Sequence, residues 1–173
     1  MTSSVLAHLI VAVFPAGAIA AAALDATTFT VPNRLTLALA AAFFPVALIM
    51  GLPLQTIGAC AAMGLIALIV GIGFFAMNWC GGGDAKLLAA CALWLGLPAM
   101  LPFLFYMSLF GGALALGLVM ARKMMLGAYV AGGPAWLGRL LAPEEALPYG
   151  VAIGLGALVA FPSSPIFGLL AAR

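Results

Sequence analysis

The chain has 173 residues, of which 67% are hydrophobic and only 6% charged, and its mean hydropathy is +1.32. Soluble domains carry about 25% charged residues, so this composition cannot cover a water-facing surface and excludes a soluble enzyme. A net charge of +2 is too small for a nucleic-acid interface, and Cys60, Cys80 and Cys91 make no C-x-x-C pair and no zinc-ligand pattern, which leaves them as small apolar core residues.

In chain order, Val5–Leu24 reads as the first membrane span. Its alanine-rich end resembles a cleavage site, but no Lys or Arg precedes it and it is long enough to cross, so a retained helix is expected. The loop that follows holds Asp25 and Arg34, the only charges in the first 83 residues. Pro32 disfavours helix at Val31, and Asn33 suits the N-cap of the next helix. Leu35–Met50 is the second span, Gly51-Leu52-Pro53 a tight turn, and Gln55–Met77 the third span. A polar, glycine-rich break, Asn78-Trp79-Cys80-Gly81-Gly82-Gly83-Asp84-Ala85-Lys86, interrupts the apolar pattern.

From Leu87 to Met120 the chain is apolar again, too long for one pass of about 20 residues. Gly96, Pro98 and Pro102 divide it into a short span, Asp84–Leu97, and a longer one, Met100–Met120. Arg122 and Lys123 open a loop to about Leu147 that contains Trp136, Arg139, Glu144 and Glu145; its Trp136–Leu141 segment suits the membrane interface. Leu147-Pro148-Tyr149-Gly150 opens a sixth span ending near Phe161, with Pro162 and Pro165 breaking its tail. The expected fold is all-α and polytopic, with about six transmembrane helices, a short fourth helix, and residues 1–173 forming a single domain in the lipid bilayer.

With six spans, the loops after spans one, three and five share a side and hold Arg34, Lys86, Arg122, Lys123 and Arg139. Only Arg173 falls on the other side. The positive-inside rule makes the first side cytoplasmic and places the N-terminus outside. The same parity puts Asp25 and Asp84, 59 positions apart (84 − 25), at one depth.

A carboxylate at a membrane helix end, preceded by three residues without side chains, marks a functional site. Two carboxylates brought within about 3 Å cannot both ionise and share one proton. One can then activate a water while the other polarises a peptide carbonyl, which is aspartic peptide hydrolysis and calls for no metal or cofactor. Simpler roles exist for each residue. Asp84 suits a helix N-cap, and Asp25 a solvated loop acid. Lys86, two positions from Asp84, faces elsewhere on a helix and suits an interface cation. Asn33 and Arg34 suit a cap and an anchor, Glu144 and Glu145 the first turn of a helix. His8 suits a structural role on the opposite side, and Trp79, Trp94 and Trp136 suit interface aromatics.

Asp25 followed by Val31-Pro32-Asn33-Arg34, then Gly81-Gly82-Gly83-Asp84-Ala85-Lys86-Leu87, then Leu147-Pro148-Tyr149-Gly150-Val151, together resemble the type IV prepilin peptidases, and more narrowly the short form associated with Flp/tight-adherence pili. The resemblance spans the chain from first span to last. It implies an aspartic endopeptidase of the Gly-x-Gly-Asp type in the bacterial inner membrane, cutting the basic leader from type IV or Flp prepilins at the cytoplasmic face, typically after a glycine. Residue by residue, it implies Asp25 and Asp84 as the catalytic pair and Gly81, Gly83 and Lys86 as the active-site motif. Pro32, Asn33, Arg34, Pro148 and Gly150 match the flanking motifs as substrate contacts or structural residues. Glu144 and Glu145 have a second reading, attraction of the basic leader. The partners implied are a prepilin or pseudopilin substrate and the bilayer. The longer members also N-methylate the new terminus through a region with paired cysteines that has no match here, so methylation by this chain is not expected.

A reading from another class remains open on the residues alone. A broken, short fourth span beside a membrane acid also suits a small proton- or ion-coupled transporter. Against it stand the absence of a visible inverted repeat and the placement of both acids at one face.

Overall fold

The computed structural model describes residues 2–124, 133–142 and 147–172. In chain order these form α1 (Thr2–Val11), α2 (Val13–Thr28), α3 (Asn33–Met50), α4 (Leu54–Ala76), α5 (Gly82–Lys123), α6 (Ala135–Leu140), α7 (Tyr149–Ala160), a 3-10 turn (Phe161–Ser163) and α8 (Pro165–Ala171). No strand occurs among the described residues, in keeping with the all-α expectation. Glu144, Glu145 and Arg173 lie outside the described residues.

Across the α1–α2 joint the Ala12 N–H still donates to His8 O at 2.9 Å, so Leu6–Thr28 is one span of 23 residues. The helix runs past Leu24 because Thr27 and Thr28 turn their hydroxyls back onto the carbonyls of Ala23 and Leu24, each at 2.7 Å. Such bonds give a hydroxyl a partner where water is scarce. Asp25 therefore sits in the last turn of α2 and is only 4% exposed, not in a solvated loop as the sequence suggested. Phe29, at a left-handed φ of 57°, ends the helix by donating its N–H to Asp25 O.

Among the described residues, four helices are long and apolar enough to cross a membrane, or five if α7 and α8, bent by 48°, form one span. The stretch expected to form two spans, Asp84–Leu97 and Met100–Met120, lies within one 42-residue helix, residues 82–123, with an interior break. A straight helix of that length would reach about 63 Å, twice the roughly 30 Å hydrocarbon core. Gly96 supplies the break, with φ 60° and ψ −177°. Leu88 and Met107 line one cavity of about 290 Å³, yet in a straight helix they would stand about 28 Å apart. The chain therefore reverses at Gly96. A side chain there would be strained, and its Cβ would lie 2.8 Å from Cys60 Sγ.

The first arm of α5 runs back along α4. A Cβ on Gly71 would lie 2.9 Å from Ala85 Cβ, and one on Gly64 would lie 3.0 Å from Leu93 Cβ. Small residues allow this approach, which in lipid is driven by packing and not by water exclusion. The second arm packs on α7 just as closely, since a Cβ on Gly156 would lie 2.7 Å from Met107 N. Gly156→Ala is accordingly expected to cost about 1–3 kcal/mol through forced separation of the two backbones. Gly112→Ala, with nothing within 4 Å, serves as the contact-free control, in which alanine's helix preference shows without strain. Thermal unfolding of both variants in detergent checks this.

Trp94 forms the centre of the core. It stacks on Phe14 at 5.2 Å, meets Phe43 edge-on at 5.7 Å, and donates Nε1–H to Leu39 O at 2.8 Å. This corrects its reading as an interface aromatic. A buried indole needs one acceptor, and α3 presents a carbonyl where the ring arrives. Trp79 and Trp136, 69% and 38% exposed, remain peripheral. α6 buries no residue, and Arg122 holds its end by donating to Leu140 O from Nε and Nη2 at 3.3 and 3.0 Å.

Candidate active site

Three chain breaks meet at one end of the bundle: the α2–α3 connection, the glycine break before α5, and the entry to α7. They enclose a cleft of about 690 Å³ whose wall includes both Asp25 and Asp84. Contact between the first two breaks depends on a missing side chain. A Cβ on Gly83 would meet Val31 Cβ and Val31 O, both at 3.3 Å, so the bare backbone lets the α2–α3 connection lie against the start of α5. The Asp25 and Asp84 charges are near enough to interact, but no hydrogen bond joins the two carboxyls.

Each acid is held by its own element. Asp84 occupies the third position of α5, where Oδ2 accepts the N–H of Gly81, the N-cap, at 3.1 Å. A carboxylate reaching back to an orphan amide is half of a capping box, so the simpler structural role is present together with exposure to the cleft. Asp25 is enclosed by α7, whose first amides, those of Gly150 and Val151, face its carboxylate. A Cβ on Gly150 would lie 2.8 Å from Asp25 Oδ2 and 2.9 Å from Cγ. Asp25 Oδ2 is buried, and among the described residues no group meets it in hydrogen-bond geometry, although the Gly150 and Val151 amides face the carboxylate.

The remaining motif residues divide between this cleft and its surroundings. Gly81, Gly83 and Pro148 line the cleft. Lys86 does not; its Nζ donates to Asn33 Oδ1 at 2.8 Å, and both border a separate groove between α3, α4 and α5. Its spacing from Asp84 had already turned it away. The N-cap of α3 is Pro32 and not Asn33, which is the first helical residue and spends its side chain on Lys86. Pro32 and Arg34 are exposed at the same helix start and do not line the cleft. Three wall residues were not singled out from the sequence. Tyr149 sits between Pro148 and Gly150 in a motif that was noticed. Phe29 stands at a strained left-handed position with the Arg139 guanidinium 5.0 Å over its ring, and Asn78 has φ 58°. Asn78 opens the glycine-rich break and is of a residue type that tolerates a left-handed angle, whereas nothing in the sequence marks Phe29. Among the described residues, no three His, Cys, Asp or Glu side chains cluster as metal ligands.

Cys80 reports on the cleft. Burial pushes its thiol above the ordinary range, and the nearby Asp84 charge raises it further. The thiolate is the reacting form, so a raised pKa slows alkylation at neutral pH. Asp84→Asn removes the second cause, and the pH midpoint for alkylation of Cys80 is expected to move down. Cys60 and Cys91 are buried, which keeps the signal specific. A midpoint unchanged in Asp84→Asn would show that the two groups do not interact.

The model of the type IV leader peptidase family matches residues 12–116, more than half of the chain, and the matched stretch contains both Asp25 and Asp84. The chain belongs to the type IV leader peptidase family. It is thus a membrane protease of the leader-peptidase type. No curated protein and no solved structure matches it. The family match ends within the second arm of α5, so the α7 residues that enclose Asp25 lie beyond it.

Proposed function

We propose that this leader peptidase is an aspartic endopeptidase that removes the basic leader of type IV or Flp prepilins at the cytoplasmic face of the bacterial inner membrane, with Asp25 and Asp84 as the catalytic pair. The observation that carries the reading is the meeting of these two acids on one cleft at the end of an apolar bundle. In the reaction, one carboxyl is ionised and takes a proton from water as its oxygen bonds to the scissile carbonyl carbon. The other, protonated, gives its proton to the carbonyl oxygen. The C–N bond then breaks as a proton moves to the leaving nitrogen, leaving a new carboxylic acid and a new amine. Gly81, Gly82 and Gly83 line the cleft with backbone beside Asp84, where a peptide can approach. Lys86 and Asn33 tie the starts of α5 and α3 together and act on the acids only through that frame. Arg34 and Pro32 serve the same helix start.

Basic residues stand at the same end as the acids: Arg139 over Phe29, Lys86 on Asn33, and Arg122 on Leu140. That placement supports a cytoplasmic site by the positive-inside rule. Co-expression with a prepilin, read by mass of the product, tests the assignment. A new N-terminus at the junction of leader and apolar segment is expected, and an intact prepilin in the presence of membrane-inserted enzyme would overturn it.

A further inference from the structure

The cleft has a second limb. The 290 Å³ cavity between α4, α7 and the two arms of α5 shares Trp79, Cys80, Asp84 and Tyr149 with the wall of the acid cleft. Its other walls differ in kind. The acid limb presents Asp25, Thr30, Asn78 and glycine backbone, set among Phe29, Val31, Leu147 and Pro148. The second limb presents Phe74, Leu88, Met107 and Ile153. Leu88 lies one turn beyond Asp84 on α5, and Ile153 one turn beyond Tyr149 on α7, so the limb runs about 6 Å inward from the acid on both helices. At about 3.3 Å per residue, that depth accepts two residues of an extended chain.

Resting on the peptidase reading, we propose that this limb is the subsite for the first apolar residues after the scissile bond, and that Leu88, Met107 and Ile153 set which side chain is accepted there. A prepilin changes from polar leader to apolar helix at the cut. The polar groups of the cleft are gathered on its acid limb, and the walls beyond Asp84 are apolar, so a chain threaded with its apolar segment in the second limb is the better match. Met107 gives the limb an adaptable wall, since an unbranched thioether repacks around different apolar shapes.

Two measurements on the full chain in proteoliposomes test this. Prepilin-type peptides differing only in the first residue after the cut, Phe against Ala, should differ in kcat/KM by about 10-fold or more with the wild type. Met107→Trp should move that ratio toward Ala by a similar factor. Independently of turnover, a benzophenone at the same peptide position should crosslink to Phe74, Leu88 or Met107 in the Asp84→Asn variant. Crosslinks confined to the α3–α4 groove or to the acid limb would overturn the proposal, as would a ratio indifferent to Met107→Trp while Asp84-dependent cleavage persists. In that case the peptidase reading stands. Absence of Asp84-dependent cleavage would overturn both.

Discussion

Asp84→Asn is expected to lower leader removal by about 10²- to 10⁴-fold while the protein stays folded in the membrane. The substitution separates the two roles that the geometry assigns to this side chain. An amide oxygen still accepts the Gly81 N–H that Asp84 Oδ2 takes at 3.1 Å, so the start of α5 is preserved. What is lost is a group able to hold and release a proton. If Asp84 only capped a helix, the exchange would be close to neutral in activity, because the amide oxygen of Asn can accept the same N-cap N–H. Asp25→Asn is expected to cause a loss of the same size. Leader removal by either variant at wild-type rate, with equal protein in the membrane, would remove the catalytic pair.

Gly150→Ala is expected to lower kcat by about 100-fold without a matching loss of stability. Its Cβ would arrive 2.8 Å from Asp25 Oδ2 and 3.0 Å from Asp25 Cβ, so the carboxyl must rotate and the two helices give by a few tenths of an ångström. A displacement of about 1 Å at a reacting group costs on the order of 100-fold in rate. Alanine also favours a helix over glycine by about 1 kcal/mol, which offsets part of the contact strain. Turnover and the thermal midpoint measured together distinguish this from general damage, and Gly168→Ala, with nothing within 4 Å, is the control. A Gly150→Ala variant with normal kcat would show that α7 does not position Asp25.

Much of the site could be read in the chain because the signals are local. Three glycines before Asp84 stand out wherever they fold, and Pro148-Tyr149-Gly150 is marked by its own composition. Parity of spans alone brought Asp25 and Asp84 to one end of the bundle, and the structure places both on one cleft. Other assignments failed where the deciding neighbour was remote. Trp94 read as an interface residue until Phe14, Phe43 and Leu39 closed around it. Asp25 read as a loop acid because nothing adjacent shows that two threonines prolong its helix.

Composition by itself determined that this chain belongs in a membrane, since 6% charged residues cannot face water, and motif spacing singled out the two acids proposed as catalytic. Those properties follow from transfer energies and backbone freedom, which each residue carries with it. Tertiary structure alone decided that α5 reverses at Gly96, that α7 encloses Asp25, that Lys86 turns to Asn33, and that an apolar limb opens beside Asp84. Each of these rests on contact between segments far apart in the chain, where the packing of small residues, which no local pattern encodes, sets how closely two backbones can approach.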